Sequence, residues 1–196
     1  MPFTLFHLGP AVALGLPLRK YIHAPTFIVA NVILDVEPFI VMALRLSYPL
    51  HGYLHTFLAA LFVGLLLGGV IFLLEKFFQP IFRMFLLETD KRRGFKTFVI
   101  SGALGTSLHI LFDAPLYWDI HPFFPLTANP LLGAGGLGQT SLYALCVWMG
   151  IFGVAFYVGL FVFNVYKKYL AQKHQRIKGE YTHKLGKHIN RQLSLS

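Results

Sequence analysis

The sequence predicts an all-α, polytopic transmembrane bundle. Hydrophobic side chains make up 56% of the 196 residues and charged ones only 13%. Soluble domains carry roughly 25% charged residues, so this chain has more apolar surface than one soluble core can hide. Three apolar runs, Phe57 to Phe78, Phe98 to Trp118 and Leu142 to Tyr166, approach or exceed the ~20 residues a helical span requires. A fourth, Pro25 to Leu46, is interrupted by Asp35, Glu37 and Pro38. No linker-like stretch separates the four spans, which predicts one membrane domain, residues 1–170, followed by a basic tail, 171–196.

In chain order, Met1 to Leu18 is apolar but lacks the basic leader of a secretory signal, so it is read as part of the protein. Gly9, Pro10, Gly15 and Pro17 oppose a long helix and predict a short tilted or re-entrant membrane segment, which holds His7. In the next span Asp35 and Glu37 are two residues apart, which on a straight helix sets them about 200° apart around the axis. Pro38 is expected to disfavour helical geometry at Glu37 and to kink the span, swinging both carboxylates inward. Pro49 is read as opening the following helix, with His51 and His55 sharing its face at i, i+4. Gly64, Gly68 and Gly69 on the same helix predict close packing against a neighbour.

The segment Glu75 to Lys96 contains Lys76, Arg83, Lys91, Arg92, Arg93 and Lys96 and reads as a cytoplasmic loop. Its apolar portion, FQPIFRMFLL, is expected to lie along the membrane surface. The span after it places His109 and Asp113 on one helical face, and Asp119 and His121 follow beyond its end. Leu131 to Gln139 is glycine-rich but lacks the Lys and Ser/Thr of a phosphate-cradling loop, so it reads as a flexible connection. Cys146 is the sole cysteine and lies in an apolar span, which rules out an intrachain disulfide and makes it a packing residue.

The net charge of +9 does not point to nucleic acid, because the basic residues flank spans or sit in the tail and form no binding motif. Six Lys or Arg between Lys173 and Arg191 face a single acid, Glu180, which fits attraction to anionic lipid on the cytoplasmic side. With loop and tail inside, His51, His55, His109 and Asp113 all fall in the outer half of the bilayer. Asp35 and Glu37 fall near its middle, and Asp119 in the outer loop.

An ionisable side chain in hydrocarbon costs roughly 2.5–3.5 kcal/mol even on lenient scales, so such agreement in depth marks a site. Imidazoles and carboxylates without thiolate suit a divalent metal, Zn²⁺ first with Mn²⁺ or Fe²⁺ as alternatives, as one or two ions. Hydrolysis is the economical chemistry, since such an ion acidifies water and a carboxylate outside the ligand set can accept the proton. Trp118, Phe123 and Phe124 beside the outer site point to a lipid-like substrate with an ester or phosphoester head group. Two other readings remain open: a transporter or channel relaying protons or ions through the same residues, and a metal that only clamps the bundle.

Five ordered motifs, MPFTLFHLGPA, LDVEP, HGYLHTF, HILFD and WDIHPFFP, resemble a family of membrane-bound metal-dependent hydrolases that includes the LexA-regulated inner-membrane hydrolase. The resemblance covers most of the chain up to Pro130. It implies an integral inner- or plasma-membrane protein with an extracytoplasmic site. His7, Asp35, His55, His109 and Asp113 would be ligands, joined by His51, where some relatives carry arginine. Glu37 would be a general base or an outer carboxylate, with Asp119 in support. Tyr117 stands where some close relatives carry histidine. No substrate follows from the resemblance.

Overall fold

The apolar runs form helices because, in hydrocarbon, a backbone must satisfy its own polar groups. The computed structural model describes residues 5–87, 93–133 and 138–193, with side chains except at 5, 177 and 180–193. Lys91 and Arg92 of the basic segment, residues 134–137 of the glycine-rich loop, residues 1–4 of the first motif and most side chains of the tail lie outside the described residues. Among those described there are no strands. Four helical segments, Ala24–Ala43, Phe57–Met84, Phe95–Asp113 and Gln139–Arg176, are long and apolar enough to cross a membrane.

The first helix, α1 (Leu5–Gly15), has 11 residues and is followed by a 3-10 turn at Pro17–Lys20. Its length of about 16 Å is half of a bilayer core, so it is a short buried segment and not a span. Pro10, inside it, has no N–H to give to Phe6.

The span Ala24–Ala43 consists of α2 (Ala24–Ile33) and α3 (Val36–Ala43). The break precedes Pro38 and has a simple cause. Pro38 cannot donate to the carbonyl of Leu34, and Glu37 N takes that acceptor instead at 3.0 Å. Asp35 N likewise reaches back only to Val32 O, at 3.1 Å. This tightening turns Asp35 and Glu37 towards the interior, as anticipated, but Glu37 itself is helical, and the irregular residues are Leu34 and Asp35.

Two boundaries differ from expectation. Pro49 does not open a helix: residues 44–52 form a loop, Tyr53–His55 a 3-10 turn, and α4 (Phe57–Met84) begins at Thr56, whose side chain caps Ala59 N at 3.2 Å. His51 and His55 therefore share no helical face. At its other end α4 runs through Pro80, so most of FQPIFRMFLL continues the transmembrane helix and is not a separate surface segment. In lipid, continuing the helix satisfies more backbone groups than breaking it.

Helix α5 (Phe95–Asp113) packs against both α4 and α2 through glycines. A Cβ on Gly64 would lie 2.5 Å from Gly102 O, one on Gly68 2.5 Å from Phe98 O, and one on Gly105 2.5 Å from Phe27 O. Without a hydrophobic drive between helices in lipid, such backbone approach is what van der Waals packing requires. Gly69 is not part of this seam, since its Cβ would meet only the Phe95 ring at an ordinary 3.7 Å. The last helix, α6 (Gln139–Leu193), crosses α1 where Gly9 meets the Cys146 carbonyl and Gly153 meets Val12 and Ala13. Cys146 is buried there.

The chain divides into two compact units, Met1–Tyr157 and Val158–Ser196, and every residue of the candidate site belongs to the first. Beside that site Leu34, Ala60, Ile110, Ala114 and Ile120 form a buried apolar cluster. On the outer flank of α4, Leu66, Leu73 and Phe77 are 71–78% exposed, an apolar surface suited to lipid.

Candidate metal centre

Six predicted side chains meet at the C-terminal end of α5. Helix α1 brings His7, the α2–α3 break Asp35, α5 itself His109 and Asp113, the loop before α4 His51, and the 3-10 turn His55. His55 and His109 are fully buried, and Asp113, His7 and His51 nearly so.

Asp113 is the hub. One oxygen lies 3.1 Å from His7 Nε2, and the other 3.2 Å from His109 Nε2 and 3.9 Å from His55 Nε2. The ligating atoms of His7, Asp35, His109 and Asp113 all fall within 4.8 Å of one another, and so do those of His51, His55 and Asp113. The His7 and His109 rings stack at 4.0 Å, and Asp35 Oδ1 stands 3.9 Å from His109 Nε2.

The far sides of the rings decide their tautomers. His109 Nδ1 lies 2.8 Å from Asn31 O, a pure acceptor, so Nδ1 carries the proton. That carbonyl is available because the helix tightens at Asp35, whose N–H would otherwise bond to it. His55 Nδ1 donates to Glu37 Oε2 at 2.8 Å, and His51 Nδ1 faces both oxygens of Asp119 at 3.1 Å. The Nε2 atoms of His7, His109 and His55 thus all face the Asp113 carboxylate. The Nε2 atoms of His55 and His109 stand only 3.4 Å apart, beside the Asp113 carboxylate. Ring nitrogens gathered on one carboxylate in this way are satisfied either by protons on the rings or by a cation held among them. The carbonyl or carboxylate behind His109, His55 and His51 is also the usual outer support of a metal ligand. The buried Nδ1 of His7 and Oδ2 of Asp35 have no partner among the described residues, leaving further donor capacity at the centre. The cluster can hold a metal ion.

Glu37 does not enter the cluster. Besides His55 it accepts from Gly52 N at 3.1 Å, Leu54 N at 3.2 Å and Tyr48 Oη at 3.3 Å, so it ties the loop that carries both histidines. Asp119 also accepts from His51 N, at 3.2 Å. Burial pushes the His55 imidazole below its ordinary range despite the Glu37 hydrogen bond, which keeps it neutral and fit for coordination. Tyr117, whose ring lies 4.2 Å from His51, is pushed well above the ordinary phenol range by burial, by Tyr143 and by the Asp113 and Asp35 carboxylates.

Two openings adjoin the centre. A pocket of about 310 Å³, with polar groups set in a largely apolar wall, is lined by His51, Asp119, His121, Tyr53 and Phe124 among others. A narrow cleft lined by Phe6, His7, Asp113, Tyr143 and Cys146 reaches it from the side of α1 and α6. Of the three aromatics expected to flank the site, only Phe124 lines the pocket at His51 and Asp119. Phe123 packs on Phe57 at 5.4 Å, and Trp118 is 81% exposed.

The sequence reading missed Asn31, Tyr48 and Tyr117 as supports. Asn31 carried a signal, being an amide inside an apolar span four residues before Asp35, and its side chain ties α2 to Gly105 O at 3.2 Å. Its working group towards His109 is a backbone carbonyl, however, and no residue type announces that. No family model matches the chain, and no match is found among curated proteins or solved structures.

Proposed function

We propose that this protein is a membrane-embedded, divalent-metal-dependent hydrolase whose centre would hold two ions, Asp113 belonging to both groups of candidate ligands. The observation that carries the reading is the double membership of Asp113, with three histidines turned inward by Asn31 O, Glu37 and Asp119. His7, Asp35 and His109 would complete one ion's ligands, and His51 and His55 the other's. An all-N,O donor set suits Zn²⁺, with Mn²⁺ or Fe²⁺ as alternatives. Such ions supply Lewis-acid polarisation of an ester or phosphoester oxygen and acidify water.

The chain's own groups supply position and exclusion. Glu37 and Asp119 orient His55 and His51 and hold their tautomers, so of the two roles considered for Glu37 the geometry supports orientation. The apolar cluster of Leu34, Ile110 and Ile120 would keep water from that flank of the centre, and the pocket lined by His51 and Asp119 would admit it. The clustered Lys and Arg of the Glu75–Lys96 segment and tail support an orientation with the site extracytoplasmic in the cell membrane and the tail near anionic lipid. The resemblance of the five motifs to those of membrane-bound metal-dependent hydrolases supports the same reading.

One observation also favours a proton or ion carrier: extra protons on His55 and His109 would relieve the same convergence of lone pairs. Metal analysis of purified full-length protein, a panel of ester and phosphoester substrates, and an ion-flux assay in liposomes separate the readings. Metal-dependent turnover without flux is expected. Flux without turnover, or a metal-free protein that stays fully stable, would overturn the hydrolase.

A further inference from the structure

Between α1 and α6 lies an apolar groove of about 330 Å³, lined by Phe6, Leu8, Val12, Val147, Gly150 and Val154 among others. It opens on a membrane-spanning part of α6, where Val147 and Val154 are 49% and 61% exposed. Small residues make it: a side chain on Gly150 would point at Gly9, whose Cα lies 3.5 Å from the Gly150 Cβ position. The groove lies next to the cleft that leads to the candidate metal centre. Phe6 and Cys146 line both the groove and the narrow cleft whose other walls include His7 and Asp113. Only about 10 Å³ of that cleft is open, and the Phe6 ring packs on Tyr143 at 5.1 Å across it. The pocket at His51 and Asp119 is lined by a different set of residues.

We propose that the groove seats one hydrocarbon chain of a membrane amphiphile, which enters sideways from the bilayer, while Phe6 swings from Tyr143 to let the head-group ester or phosphoester reach His7 and Asp113. The occupant follows from location and from the neighbouring cleft. The groove faces the lipid-exposed side of a spanning helix, so hydrocarbon is its surrounding medium. It adjoins, across one aromatic side chain, the cleft lined by His7 and Asp113. The head-group half of the inference rests on the hydrolase reading; the seat for the chain does not. Water would then have its own route through the pocket at His51 and Asp119, so the two reactants would approach by different routes.

The probe is a phosphatidylcholine with a diazirine at the end of one acyl chain, reconstituted with the full-length protein in vesicles and mapped by mass spectrometry after photolysis. Label is expected in Phe6–Val12 and Val147–Val154 in clear excess over the exposed flank of α4 at Leu66 and Leu73. Filling the groove in separate variants, Val147→Trp and Val154→Trp, should lower groove labelling to the level of the exposed α4 flank. Leu66→Trp should leave it intact. Making the two groove variants separately keeps the test alive if one misfolds. Equal labelling of groove and α4 flank, or groove labelling indifferent to both tryptophans, overturns the proposal. Labelling needs no turnover. A protein that labels in the groove but cleaves nothing refutes the hydrolase and keeps the chain seat, and cleavage with uniform labelling does the reverse.

Discussion

Replacing Glu37 by Gln tests the centre's outer support with almost no change of shape. Glu37 Oε2 accepts from His55 Nδ1 and Gly52 N, and Oε1 from Leu54 N and Tyr48 Oη. An amide has one acceptor oxygen. If that oxygen faces His55, the new NH₂ meets the Leu54 N–H donor to donor, leaving a backbone group unsatisfied at a cost of about 1–3 kcal/mol. If the amide turns round, His55 must move its proton to Nε2 and lose the lone pair aimed at the metal. Either way the ligand is misplaced, and loss of such an outer partner weakens metal binding by about 10–100-fold. That range corresponds to about 1.4–2.7 kcal/mol. The assay is a competitive chelator titration of the purified protein, run beside thermal unfolding in detergent. Unchanged metal affinity with slowed turnover would refute the argument and return Glu37 to the role of general base.

Asp113→Ala should remove all bound metal, because that carboxylate belongs to both ligand groups, whereas His51→Ala should remove half; equal losses in elemental analysis would exclude two bridged ions. Gly102→Leu would drive a side chain into the backbone of Gly64 and Gly68, destabilising the α4–α5 seam by about 1–3 kcal/mol, while Gly69→Ala should be neutral in the same melt. His23 caps α2 through Nδ1 to Thr26 N, and burial, then Arg93, lowers its pKa from 6.5 to about 4. The folded state keeps it neutral where an unfolded chain would bind a proton. Stability is therefore complete above pH 6.5 and declines as pH falls towards 4, by about 3 kcal/mol from this residue. His23→Asn keeps the cap and should flatten that part of the pH profile; an unaltered slope would show that other groups set it.

The sequence by itself determined the class of protein and much of the chemistry. Apolar runs long enough to cross a bilayer can do little else, and histidines and carboxylates inside them demand a shared interior. Hence the spans, the short N-terminal segment and the set His7, Asp35, His51, His55, His109 and Asp113 were all legible. Periodicity failed where the chain is not helical. His51 and His55 looked like one face of a helix, yet their rings lie 4.8 Å apart because Glu37 gathers the loop that carries them. Only the tertiary structure decided which group each outer carboxylate holds, Glu37 the His55 ring and Asp119 the His51 ring. The placing of Glu37 depends on Pro38, whose missing N–H tightens the chain three residues back, freeing Asn31 O for His109 and turning Asp35 and Glu37 towards different histidines. A missing hydrogen bond at one residue and an available carbonyl seven residues earlier are properties of a folded backbone, and residue types alone do not encode them.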